Sequence, residues 1–189
     1  MARIIRNLVT DLDGTLVFNR QANVEAYVRA FRDVGVEFAS DEYLKAFGLR
    51  FDAMIERVAP HLDEAGRQRV KERKKHHYAQ VVELITPNQP LMDFLKAMRG
   101  THKLGLATTA SRHNALMIIE YFGLAETFDA MIFGEDVTHG KPHPECYALC
   151  IEKLGGRPDE TLIFEDSETG MKAAEAAGAQ VIRVATDEV

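Results

Sequence analysis

The sequence predicts an α/β fold: a parallel sheet flanked by helices, with an all-helical insertion directly after the first strand. Two observations carry this. From Thr86 onward, apolar runs of about five residues alternate with helical segments of about 10 to 14 residues, the rhythm of a parallel sheet. Between Gln21 and about Leu84 only helical periods occur.

Taken in order, Ile4 to Thr10 is apolar and β-branched, too short for a helix, and runs into the turn signal Asp11-Leu-Asp-Gly14, so it reads as a buried first strand. In the insertion, Val24, Tyr27, Val28 and Phe31 form one helical stripe ended by Gly35, and further helices are expected at Asp41–Phe47, Phe51–Val58 and Asp63–Leu84. The later strands are Lys103–Ala107, Phe128–Phe133, Thr161–Phe164 and Gln180–Val184. The helices between them are Leu91–Arg99, Asn114–Phe122, Glu145–Leu154 and Glu168–Ala177, with Gly100, Gly123, Gly155 and Gly178 placed as C-caps. The chain of 189 residues then divides into a Rossmann-like core, 1–16 and 86–189, and a small helical domain, 17–85.

Composition narrows the function. The net charge of −6 argues against a general affinity for nucleic acid, and the basic run Arg67–Lys75 is broken by Gln68 and Glu72 as on a solvated helix face. No apolar run approaches the roughly 18 residues that a membrane-spanning helix needs. Met1-Ala-Arg-Ile-Ile-Arg6 lacks a signal-peptide pattern, so a cytoplasmic protein, a monomer or a weak homodimer, is expected. The two cysteines, Cys146 and Cys150, lie one helical turn apart and suit reduced thiols. With His139 and His143 just upstream a zinc site is conceivable, but the spacing matches no usual ligand pattern, and the cysteines read as packing residues.

In open parallel sheets ligands bind beyond the carboxyl ends of the strands. Here the first strand ends in Asp11 and Asp13, the second in Thr108 and Thr109, the third is followed by Lys141, and the fourth ends in Glu165-Asp166-Ser167. Around one crevice this gathers carboxylates, hydroxyls and an ammonium. Phosphoryl transfer needs that set. Carboxylates from two strands can hold Mg²⁺, which binds phosphate oxygens, while a lysine and a hydroxyl neutralise the remaining phosphoryl oxygens. Asp11 would attack as a carboxylate and form an aspartyl phosphate, and Asp13 would protonate the leaving oxygen and later activate water.

Asp11-Leu-Asp13-Gly14-Thr15-Leu16 resembles the first motif of the haloacid dehalogenase-like (HAD) superfamily, and the others follow in order. Thr108 after Leu-Gly-Leu-Ala matches the hydroxyl motif, Lys141 in Gly140-Lys-Pro-His-Pro144 the lysine motif, and Glu165-Asp166-Ser-Glu-Thr-Gly170 the acidic fourth motif. The resemblance spans nearly the whole chain. It implies Mg²⁺ held by Asp11, the backbone carbonyl of Asp13 and Asp166, with Glu165 nearby, and it likens the insertion to the small cap of the phosphoglycolate phosphatase and β-phosphoglucomutase branch. The expected activity is hydrolysis of a small phosphate monoester, its partner a small phosphorylated metabolite. A phosphosugar mutase shares the core chemistry, and a non-catalytic phosphometabolite-binding protein would share the fold.

Other residues serve as candidates for substrate contacts. Thr109 either meets substrate or closes its strand, Ser111 either meets substrate or caps the next helix, and Arg112 follows them. A mutase needs a second phosphate site, for which Arg50, after Gly48-Leu49 in the cap, is the candidate. Two places depart from the family pattern: Thr10 stands where a phenylalanine is usual, and Val17-Phe-Asn-Arg20 replaces the more common acid and serine.

Overall fold

In a computed structural model, residues 4–38, 40–46, 49 and 51–185 are described. In chain order the elements are β1 (Asn7–Thr10), β2 (Val17–Phe18), α1 (Arg20–Asp33), α2 (Ser40–Leu44), α3 (Phe51–Val58), α4 (Glu64–Ala79), β3 (Thr86–Pro87), α5 (Gln89–Met98), β4 (Lys103–Ala107), α6 (Arg112–Tyr121), β5 (Ala130–Ile132), α7 (Glu145–Lys153), β6 (Thr161–Glu165), α8 (Glu168–Ala176) and β7 (Gln180–Arg183). Two compact units result, Met1–Phe18 with Pro87–Val189, and Asn19–Thr86.

The first unit is built on a five-stranded sheet, β5-β4-β1-β6-β7, in which every pairing is parallel. The expected α/β class is therefore observed. Its central strand is short. Ile4 is 66% exposed, and pairing starts at Asn7, where Lys103 of β4 and Thr161 of β6 come into register with it. Arg6 still bonds to both sides, donating to Glu160 O at 2.9 Å and accepting from Lys103 N at 3.0 Å, while Ile4 and Ile5 lie outside the paired strand. The edge strand β5 is likewise trimmed to the three residues that face Gly105–Ala107. On the other flank β6 runs one residue further than expected, because Glu165 pairs with Arg183 of β7.

Helices cover the sheet with apolar faces. Cys146, Tyr147 and Cys150 of α7 and Ala173 and Ala174 of α8 pack with Val9, Ala107, Ile132 and Ile163 of the strands. Small residues let α7 come close: a Cβ on Gly105 of β4 would lie 2.5 Å from Cys150 Sγ. Both thiols are free and buried, and burial pushes Cys146 up to about 11 and Cys150 up to about 12, so they sit protonated as packing groups.

In the second unit the stripe anticipated on α1 is only half of its buried face. Tyr27 and Phe31 are buried while Val24 and Val28 are half-buried, and Ala22, Ala26 and Ala30 complete the face. The rings of Tyr27, Phe31, Phe38 and Tyr43 cluster with centroids 4.8–6.3 Å apart. Such aromatic pairs add about 0.5–1.5 kcal/mol each beyond their area. The helix expected over Asp63–Leu84 stops at Ala79, and a short 3-10 turn at Val82–Leu84 follows. Asp63 caps it, accepting from Gly66 N at 2.7 Å. Phe47, at the end of the helix expected over Asp41–Phe47, lies outside the described residues.

Candidate active site

The polar residues singled out at the strand ends converge. β1 leads into Asp11, whose backbone N–H donates to Phe164 O of β6 at 3.0 Å, so the chain stays pinned to the sheet one residue past the strand. It then doubles back. The N–H groups of Thr15, Leu16 and Val17 all donate to Leu12 O, and Gly14 N donates to Val17 O. This loop demands Gly14 for two separate reasons. Its φ is +85°, in the left-handed region, and a Cβ there would lie 2.5 Å from Asp166 Oδ2. The tight turn thus lets Asp166 approach the loop, and Thr15 Oγ1 donates to Asp166 Oδ1 at 2.7 Å.

Asp11 is 5% exposed. Lys141 Nζ donates to Asp11 Oδ1 at 2.5 Å and to Glu165 Oε2 at 2.7 Å. Thr108, fully buried at the end of β4, donates from Oγ1 to Asp13 Oδ2 at 3.3 Å and accepts from Ala110 N at 3.0 Å. Lys141, from the segment between β5 and α7, thus ties Asp11 to Glu165, while Thr108 reaches Asp13 and Thr15 reaches Asp166 at the carboxyl ends of β1, β4 and β6. Thr10 donates its hydroxyl to Asp11 O at 2.7 Å and is fully buried.

Both carboxylate oxygens of Glu165 are bonded. Its Oε1 accepts from the N–H of Asp166 at 3.1 Å, and from the N–H and hydroxyl of Ser167 at 2.9 and 2.8 Å. Its Oε2 accepts from Lys141 and from the hydroxyl of Tyr147. The ring of Tyr147 also lies under Lys141, with Nζ 4.7 Å from the centroid. Sequence adjacency groups Glu165 with Asp166 around a metal, but its two oxygens are already taken by five donors. Tyr147 was missed by sequence reasoning. Its place on the buried face of α7, six residues after Lys141, was the available signal.

Gly170 makes room for this carboxylate, since a Cβ on it would fall 1.9 Å from Glu165 Oε2. Gly170→Ala is expected to push Glu165 off Lys141 and Tyr147. Overpacking of this kind costs about 1–3 kcal/mol, which outweighs the gain of about 1 kcal/mol from alanine in a helix. A lowered Tm together with a fall in turnover is the expected result; a variant as stable and as active as the parent would contradict it.

The electrostatics follow from placing two buried and two half-buried acids beside one lysine. Burial and the neighbouring carboxylates of Glu165 and Asp13 hold Asp11 well above the usual carboxylate range, against the pull of Lys141. Lys141 is raised as well, because Asp11 and Glu165 outweigh its desolvation. Glu165 is lowered: burial opposes its charge, but Lys141 and its hydrogen-bond donors win. Asp166 is pushed up to about 6, by burial first and by Glu165 next, with Thr15 opposing.

A cluster with surplus negative charge suits a cation. Among the described residues, ligand atoms of Asp11, Glu165 and Asp166 lie within 4.8 Å of one another. All are hard oxygen donors, the chemistry that Mg²⁺ or a similar ion takes. With Glu165 committed to Lys141 and Tyr147, Asp11 and Asp166 fit best as direct ligands.

The substrate-side candidates are placed differently. Ser111 caps α6, accepting from Asn114 N at 3.4 Å, and Arg112 pairs with Asp136 at 2.5 Å while its backbone N–H donates to Glu135 Oε2 at 2.8 Å. Thr109 follows Thr108, and a Cβ on Gly134 would lie 2.5 Å from Thr109 O, so that loop packs closely. Arg50 lies outside the described residues.

Known proteins match this chain over most of its length. A family model described as haloacid dehalogenase-like hydrolase matches residues 8–184. A phosphorylated carbohydrates phosphatase of Thermotoga maritima is 31% identical over 180 residues, covering 93% of this chain and 82% of that protein. A fructose-1-phosphate phosphatase of Escherichia coli is 26% identical, covering 94% and 95%. Among solved structures, CbbY from Rhodobacter sphaeroides in complex with phosphate superposes with a TM-score of 0.84 at 25% identity, covering 98% and 90%. The β-phosphoglucomutase of Clostridium difficile, at 20% identity and a TM-score of 0.83 over 98% of this chain and 86% of that one, shares the fold. With matches this extensive laid over strand ends that bring Asp11, Thr108, Lys141 and Asp166 together, the chain belongs to the haloacid dehalogenase-like hydrolase family.

Proposed function

We propose that this protein is a Mg²⁺-dependent phosphatase of small phosphorylated metabolites that works through a phosphoryl-aspartate at Asp11. The observation that carries this reading is the buried Asp11 carboxylate held at 2.5 Å by Lys141, with Asp13 and Asp166 on the same loop network. The Asp11 carboxylate attacks phosphorus, the bond from phosphorus to the ester oxygen breaks, and Asp13 gives that oxygen its proton. Asp13 then takes a proton from water, whose oxygen displaces Asp11 and releases inorganic phosphate. Lys141 and Thr108 face the phosphoryl oxygens, where charge neutralisation lowers the barrier. Asp11, the Asp13 carbonyl and Asp166 would hold Mg²⁺, which would supply further neutralisation of the phosphoryl group. Glu165 keeps Lys141 in place. The relatives that act on phosphorylated carbohydrates and fructose 1-phosphate favour sugar phosphates as substrates. Thr109 meets the substrate, while Ser111 and Arg112 fix the loop around it. The helical unit, residues 17–85, serves as the cap, with Arg50 its candidate contact to the substrate.

The test is release of inorganic phosphate from a panel of sugar phosphates and phosphoglycolate, with and without Mg²⁺. Mg²⁺-dependent release supports the reading, and no release with any divalent ion would leave a phosphometabolite-binding protein. Conversion of a sugar phosphate to its isomer without release would mark a mutase.

Asp166→Asn should raise the Mg²⁺ concentration for half-maximal activity by roughly tenfold or more. The parent should show the same weakening as pH falls below about 6, because Asp166 must lose its proton to hold a cation. Unchanged metal dependence in the variant would remove Asp166 from the site.

A further inference from the structure

We propose that His139, His143 and Glu145 form a second metal site, one that takes a borderline divalent ion of the Zn²⁺ class, on the loop that carries Lys141. The three side chains converge on a single oxygen. His139 Nδ1 lies 3.2 Å and His143 Nδ1 3.8 Å from Glu145 Oε2, and the two rings stand 4.6 Å apart between centroids. Donors bonded to one tetrahedral zinc at about 2.0–2.1 Å are separated by roughly 3.3–3.5 Å. The observed separations bracket that value, and a cation would replace the bond between His139 Nδ1 and Glu145 Oε2 and the bond that Glu145 N donates to His143 Nδ1 at 3.3 Å.

The carboxylate is held in advance. Thr138 N donates to Glu145 Oε1 at 2.9 Å and His139 N to Glu145 Oε2 at 2.8 Å, which closes the loop around it. Both histidines are exposed, so the site opens to solvent and leaves a position for water. A cation here would ordinarily be disfavoured by the start of α7 and by a nearby lysine. Glu145 offsets the first, and Lys141 is turned away, its Nζ bonded to Asp11 and Glu165.

Ligand type separates this site from the one at Asp11. Two imidazoles and one carboxylate select zinc-like ions, whereas Mg²⁺ prefers oxygen alone and keeps its waters. Cys146 and Cys150, close in sequence, do not contribute: they are buried in the core against the sheet. Lys141 stands midway between the two histidines in the chain, so the ion would clip the loop on both sides of it.

The experiment is calorimetric titration of the full chain with Zn²⁺ in excess Mg²⁺, repeated with Co²⁺ to read the visible absorption of a four-coordinate ion. One equivalent is expected to bind the parent. His139→Asn and His143→Asn, both at exposed positions, should weaken it by at least roughly tenfold, and Asp166→Asn should leave it unchanged. Absence of Zn²⁺ uptake by the parent, equal uptake by both histidine variants, or its loss in Asp166→Asn would each overturn the proposal. Neither readout uses turnover, so the outcome is independent of the phosphatase reading.

Discussion

Asp11→Asn is expected to fold normally and to lose turnover by roughly four orders of magnitude or more, as when a covalent nucleophile is removed. The substitution is nearly isosteric, so the packing of β1 and the bond from Asp11 N to Phe164 O persist. What disappears is the charge that attacks phosphorus. Stability should be kept or rise slightly. Asp11 is a buried acid held above its usual range by desolvation and by Glu165 and Asp13, so its ionised form is costly in the metal-free protein. Lys141 retains Glu165 as its partner. Two measurements check this: thermal melting without metal, and acid-quenched protein after exposure to a ³²P-labelled substrate. Label should be trapped on the parent and absent from the variant. Substantial turnover by Asp11→Asn would rule out the covalent route, and the reaction would have to proceed by direct attack of water.

How much of this was legible in the sequence depended on where each residue sits. Strands flanked by polar residues and buried on both faces read well: Lys103–Ala107 has the expected bounds because Leu104 and Leu106 are enclosed by neighbouring strands. Ile4 looked like strand only because apolar character was mistaken for pairing, and pairing is decided by where the neighbouring strands begin. The strand-end residues Asp11, Thr108, Lys141 and Asp166 were accessible because a parallel sheet delivers its carboxyl ends to one edge. The division between Glu165 and Asp166 was not. Adjacent residues near a strand end point to opposite faces, so one acid turns toward Lys141 and Tyr147 while its neighbour meets Thr15. Tyr147 and Gly170 were hidden for a related reason: their roles exist only once α7 and α8 pack on the sheet. In the helical unit, alanines carried much of the buried face of α1, and a search for large apolar residues undercounts such a face.

Lys141→Ala should do the most damage to both stability and activity. In the parent, its ammonium is the partner that Asp11 Oδ1 and Glu165 Oε2 share, with 8% of the side chain exposed. Deleting it leaves Asp11 and Glu165 buried together without their cation, beside the half-buried Asp166. Uncompensated buried charge of this kind costs about 3–5 kcal/mol, a large share of the roughly 5–15 kcal/mol that keeps a domain folded. The sign of the pH dependence is fixed. Without Lys141, Glu165 loses the charge that does most to hold its pKa down against burial, and acids raised in the folded state bind protons more tightly there than in the unfolded chain. The variant should therefore recover stability as pH falls toward the range where these carboxyls protonate, and lose it as pH rises. Mg²⁺ should narrow the gap, since a divalent ion between Asp11 and Asp166 offsets part of the surplus charge. Turnover should still fall by roughly two to three orders of magnitude, because the ammonium assigned to neutralise the phosphoryl oxygens is gone. Thermal melts of parent and variant at about pH 5 and about pH 8, with and without Mg²⁺, read all of these effects. A Tm difference independent of both pH and metal would mean that Lys141 is valued for its packing on Tyr147 and not for its charge.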